Sequence, residues 1–121
     1  KADPVNRPMV NKGIVIKFNA AQHYTTDAVS CAVYRDLCES NDIPVQVFTN
    51  RSDTRGGSTL GNVSNAHVSL NTVDIGLAQL AMHSCYETVG ARDTKNLVDV
   101  MTVFYSKTFR VDKAGSFELV D

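Results

Sequence analysis

The residues of this chain best suited to chemistry fall in three clusters, and the first holds His83. It lies in Thr72–Glu87, TVDIGLAQLAMHSCYE, where an apolar run from Val73 to Leu77 is interrupted by Asp74 and Gly76. Met82-His83-Ser84 follows, with Glu87 close behind. A β-type run that delivers a histidine just past its end can present a metal ligand or a proton carrier, because ligands of open α/β sheets sit outside the carboxyl ends of strands. A single histidine also reads as an ordinary loop or core residue, since a site needs partners.

The other two clusters lie upstream. Gly13–Asn19, GIVIKFN, alternates as a strand, with Ile14, Ile16 and Phe18 on one face and Val15, Lys17 and Asn19 on the other. Lys17 either snorkels to water or fixes a positive charge beside the strand's carboxyl end, and His23 and Tyr24 follow in a polar turn. Asn50–Gly61, NRSDTRGGSTLG, holds Arg51, Asp53, Arg55 and the run Gly56-Gly57-Ser58-Thr59. It leads into a short helix through about Val68, whose amide N–H groups would point at the loop and suit an anion or an oxyanion. A plain turn with a helix cap has the same composition, and no Gly-Lys-Ser/Thr follows to make a phosphate loop.

The elements that must position these clusters alternate. Thr25 or Thr26 is suited to cap a helix running to about Glu39, with Asp27 in its first turn. Val29, Val33 and Leu37 recur at i+4, and Ala28, Cys31, Ala32 and Tyr34 make the helix apolar on more than one side, so it is expected to be largely buried. Pro44 opens a second strand, PVQVFT. A loop at 88–92 precedes a last helix, capped by Asp93 or Thr94, with Leu97, Val100, Met101 and Phe104 as its buried stripe. Strand, helix, strand, short helix, strand, helix is an α/β arrangement, a mixed sheet flanked by helices. Residues 1–12 are expected to be an extended, exposed lead-in, 13–105 the body, and 106–121 a tail whose Ala114-Gly115-Ser116 turns a small hairpin.

Composition narrows the function classes. The 121 residues suffice for one core, and 43% hydrophobic with 21% charged is ordinary for a globular protein. A net charge of −1 gives no reason to expect nucleic acid or an anionic membrane surface as partner. No run approaches the ~18 apolar residues of a spanning helix. Three cysteines without regular spacing make no disulfide framework, which fits a reducing, cytoplasmic setting. Cys31 and Cys38 are expected to be buried thiols.

Taken together, Gly13–Tyr24 (GIVIKFNAAQHY), Asn50–Gly61 and Val73–Glu87 resemble the carboxy-terminal part of the aspartyl aminopeptidase / vacuolar aminopeptidase I family, over roughly residues 12–105. The resemblance implies a partial catalytic domain of a zinc-peptidase-like fold, with two zincs per active site, acting on peptide substrates in a homo-oligomer, a dodecamer at full length. It places His83 at the last zinc ligand, Lys17 and Tyr24 at contacts to substrate or tetrahedral intermediate, and Asp53 with Gly57, Ser58 and Thr59 along the pocket. Tyr24 would donate to the oxyanion. Lys17 would bind a substrate carboxylate, favouring Asp or Glu at the amino terminus.

The departures from the family pattern fall beside these positions. Ala21 and His23 stand where Asn and Arg are usual, Gly56 where Cys is common, and Cys85-Tyr86 where Ile-Arg is usual. The family's remaining ligands have no counterpart in these residues, so the chain is expected to be a piece of a longer one, inactive alone and weak in zinc binding. A catalytically silent relative serving as an assembly or binding module is the alternative. An unrelated α/β domain that binds an anion at the 56–61 loop is a third reading.

Overall fold

A computed structural model describes residues 2–121. At its centre is β1, Ile14–Phe18, flanked by β2, Val45–Thr49, and β3, Ile75–Gly76. β2 runs parallel to β1 over five residue pairs, Ile14 opposite Val45 through Phe18 opposite Thr49. β3 runs antiparallel, with Val15 opposite Gly76 and Ile16 opposite Ile75. The sheet is therefore mixed, as the sequence implies. Ile14 and Ile16 are essentially inaccessible and pack with Tyr34, Leu37 and Cys38 of α1, Ala28–Glu39, and Val100 of α3, Ala91–Ser106. Alternation along the strand sends Lys17 to the opposite face.

Several details differ from the sequence expectation. Asp27 is the N-cap of α1: its carboxylate accepts the Ser30 N–H at 2.7 Å, while the Ser30 hydroxyl accepts the Asp27 N–H at 3.0 Å. That reciprocal pair closes the first turn and leaves Thr26 for another partner. α1 buries one face only, through Ser30, Tyr34, Leu37 and Cys38, while Ala28, Val29 and Ala32 lie outside. Cys38 is buried, Cys31 half-buried and Cys85 exposed. The run Val73–Leu77 contributes only two paired residues to the sheet, Ile75 and Gly76.

The 88–92 loop contains a strand. β4, Gln79–Leu80, and β5, Thr88–Val89, pair as a small antiparallel ladder, and α3 begins directly after Gly90. Gly90, not Asp93 or Thr94, is the N-cap of α3. Asp93 turns inward, fully buried, and takes the Asn11 N–H at 2.6 Å and the Gly13 N–H at 2.8 Å. Gly90 lets this happen: a Cβ there would stand 2.3 Å from Asn11 Oδ1 and 2.7 Å from Asp93 Oδ2. In α3, Val100 is buried and Leu97 and Met101 pack against the core, but Phe104 stays 45% exposed.

The lead-in is tied down along β2. Asp3 N–H donates to the Thr49 carbonyl at 2.9 Å, and the Gln46 amide exchanges hydrogen bonds with the backbone of Met9 at 2.8 and 2.9 Å. α2, Leu60–His67, buries no residue, and Leu60 and Val63 are largely exposed. The tail forms the expected hairpin, β6, Thr108–Val111, with β7, Phe117–Val120. No helix of the described residues is long and apolar enough to cross a membrane.

Candidate functional site

The carboxyl end of β1 gathers the chemistry. Lys17 rises from the face opposite the core, and its ammonium lies 3.2 Å from Asp74 Oδ1 and 5.6 Å from the centre of the Tyr24 ring. A cation over an aromatic face is attracted by the ring's quadrupole. Tyr24 is 9% exposed and packs against Phe48 of β2, ring centres 6.3 Å apart. Phe48 is the strand partner of Lys17, so Tyr24 folds back over the top of the sheet. Among the described residues no acceptor takes the Tyr24 O–H.

Asp74 organises this end. Its N–H donates to Thr26 Oγ1 at 2.7 Å, and its carbonyl accepts the Lys17 N–H at 2.9 Å. Its carboxylate meets Lys17 through one oxygen and accepts the Thr59 hydroxyl through the other. The antiparallel sense of β3 makes this possible, because it sets the start of β3 beside the end of β1. Gly76 leaves room for the lysine: a Cβ there would lie 2.9 Å from Lys17 Cε. In sequence Asp74 reads only as an interruption of an apolar run. Its partners are 15, 48 and 57 residues away, and no local pattern signals them.

The glycine-rich loop divides into two parts. Thr59 is half-buried and bound to Asp74, whereas Gly57 and Ser58 are exposed. Asp53 is exposed and held by Arg51, with two hydrogen bonds at 2.9 and 2.5 Å. The Arg51 guanidinium keeps the Asp53 carboxyl below its ordinary range. Nothing joins Asp53 to Lys17 or Tyr24 among the described residues.

His83 occupies the turn between β4 and β5 and is exposed. β3 therefore does not present it directly at its own end: a second short strand intervenes. The turn is built with Ala81 at φ 51° and His83 at φ 69°, a left-handed conformation that histidine enters more readily than bulky residues. Glu87 fixes it by accepting the His83 N–H at 3.0 Å. No hydrogen bond ties the imidazole to Lys17, Tyr24 or Thr59 among the described residues.

The donor set limits what metal chemistry this chain can support. Among the described residues no three His, Cys, Asp or Glu side chains gather as a metal site. A catalytic zinc takes about three protein ligands. The exposed imidazole of His83 could supply one of them, and the described residues do not gather a full set around it.

Comparison with known proteins bears on the same stretches. The family described as aminopeptidase I zinc metalloprotease (M18) matches residues 1–105. A probable M18 family aminopeptidase 2 from Clostridium novyi is 49% identical over 106 residues, 88% of this chain and 24% of that protein. A chain of the cryo-EM structure of the Ape4 and Nbr1 complex superposes with a TM-score of 0.83 at 36% identity, covering 86% of this chain and 20% of its own length. The crystal structure of prApe1 gives 0.82 at 30% identity, covering 87% and 22%. The chain thus spans about a quarter of the length of the curated relatives it matches. These matches rule out an unrelated anion-binding domain, and the chain belongs to the aminopeptidase I zinc metalloprotease (M18) family.

Proposed function

We propose that these residues form the carboxy-terminal part of a zinc metalloaminopeptidase that removes amino-terminal residues from peptides in the cytoplasm, within a homo-oligomer. The observation that carries this reading is the convergence at the end of β1: a lysine fixed by Asp74, over a tyrosine whose O–H is unclaimed. Zinc, two ions per active site, would supply a more acidic bound water and a polarised scissile carbonyl. This chain would offer His83 as one ligand.

The chain's own residues bind and orient. Tyr24, clamped between Phe48 and the Lys17 ammonium, holds its O–H ready for the oxyanion that develops on the carbonyl oxygen. Lys17 contacts the substrate's amino-terminal residue with the N–H donors that Asp74 leaves uncommitted. Thr59, anchored on Asp74, carries Gly57 and Ser58 to the pocket wall, and Asp53 steadies the same loop through Arg51.

The test is Tyr24→Phe in the full-length enzyme. The ring and its packing remain, and only the donor is lost. Removing one oxyanion donor costs on the order of 3 kcal/mol, so kcat is expected to fall about 100-fold with little change in KM. An unchanged kcat would refute the role. The alternative, a catalytically silent relative serving in assembly, draws on the exposed Leu60 and Val63 of α2 and on Tyr86, which is 83% exposed. A full-length protein without peptidase activity that still assembles would establish it.

A further inference from the structure

Asp74 is the most connected carboxylate at this end of the sheet. Its residue is 9% exposed, and it ties together β1 through Lys17, the start of α1 through Thr26, and the loop before α2 through Thr59. The lysine side chain it meets is 26% exposed, so the pair is shielded from the protein side and open on the other. We infer that Asp74 is a positioning residue that aims the Lys17 ammonium and cancels much of its charge, setting how strongly the site prefers an acidic amino-terminal side chain. The inference rests on the proposed role of Lys17 in contacting that residue.

A lone ammonium would act on an incoming carboxylate as a full positive charge. An ammonium 3.2 Å from a carboxylate acts as a dipole, because an anion close enough to feel one also feels the other. The geometry leaves Lys17 little choice of position. The Tyr24 ring lies beneath it, its stem passes so close to Gly76 that a Cβ there would lie 2.9 Å from Lys17 Cε, and Asp74 is itself fixed through both its backbone and its second oxygen. The ammonium thus keeps directional N–H donors for a neutral or acidic side chain, with its bias toward acids reduced.

The experiment compares kcat/KM for Glu- and Gln-anilide substrates, which are nearly isosteric, in the full-length enzyme with and without Asp74→Asn. Asparagine keeps the size and one acceptor oxygen and removes the charge. The Glu/Gln ratio is expected to rise roughly fivefold. A merely structural role would lower both substrates alike and leave the ratio in place. Since Asp74→Asn alone leaves Lys17 unpaired and can impair folding, the same change is also made on Lys17→Met, where no unpaired charge remains. There too the ratio must rise relative to Lys17→Met, because a repelling carboxylate has gone. A ratio that fails to rise on Asp74→Asn in either background, in protein that folds, overturns the inference. If Lys17→Met by itself lowers the ratio in that case, the proposed function survives. If Lys17→Met has no effect either, or the enzyme shows no turnover, the functional reading falls and this inference with it.

Discussion

Replacing Asp93 by asparagine should loosen the junction between the lead-in, β1 and α3. Each carboxylate oxygen takes one backbone N–H, from Asn11 at 2.6 Å and Gly13 at 2.8 Å, and the side chain is fully buried. Asparagine can serve only one of these donors and turns an NH2 group toward the other. A hydrogen bond to a charged group contributes about 1.5–3 kcal/mol, and an unsatisfied buried donor costs about 1–3 kcal/mol. The lost charge in the first turn of α3 removes roughly 0.5 kcal/mol more. Against this, a neutral amide is easier to bury than a carboxylate, which offsets part of the loss. The net expectation is a destabilisation of about 2 kcal/mol. Urea denaturation followed by circular dichroism should show it as a midpoint lowered by about 1 M with the slope unchanged. Hydrogen exchange at the Asn11 and Gly13 amides should accelerate by more than the global change. Gly90→Ala strikes the same junction sterically, so the double variant should lose less than the two single losses summed. A shift of less than about 0.5 kcal/mol, the level of an ordinary surface substitution, would refute this account of Asp93.

Two further outcomes follow from the cysteines and the tail. With a disulfide reagent at mild alkaline pH, exposed Cys85 should react promptly and Cys31, half-buried with its thiol pushed up by burial, more slowly. Cys38, pushed up to about 11 by burial, should react only on unfolding; prompt labelling of Cys38 in the folded chain would contradict the packing of α1. In the β6–β7 hairpin, the backbone N–H of Ser116 and then that of Ala114 hold the Asp112 carboxyl below its ordinary value of 3.8. A depressed carboxyl stabilises the folded form above its unfolded pKa, and that contribution is lost as pH falls through 3.8 and below. Amide shifts of Ala114 and Ser116 should therefore be flat above about pH 5 and move on acidification, and Asp112→Asn should abolish that movement.

Much of the architecture is legible in sequence because it is written in local periodicity. The alternation of Ile14, Ile16 and Phe18 announces β1 and already sets Lys17 apart on the other face. The i+4 spacing in α1 and the Ala114-Gly115-Ser116 turn are of the same kind. What escapes is long-range pairing of polar groups. Asp93 has the chemistry of a helix cap and sits where a cap belongs, yet its partners are 80 and 82 residues upstream. Thr26 looks like a cap and serves Asp74 instead. The extent of burial along α1 is equally invisible, since apolar residues on several sides say nothing of which neighbours arrive to cover them. The position of His83 stands out in sequence by its resemblance to a known pattern, while the extra strand before it does not, because two-residue ladders have no periodicity to detect.

The five in-step pairs between β1 and β2 carry a consequence for the charged side chain on the strand's other face. A strand can slide past its neighbour only in whole residues, and one such slide inverts the direction of every side chain it bears. Lys17 shares a ribbon with Ile14 and Ile16, so it cannot reach its place over Tyr24 unless those two find the oily interior. Grease on one side thus acts as a key for charge on the other, and a substitution such as Ile16→Ser would mislay an ammonium it never touches.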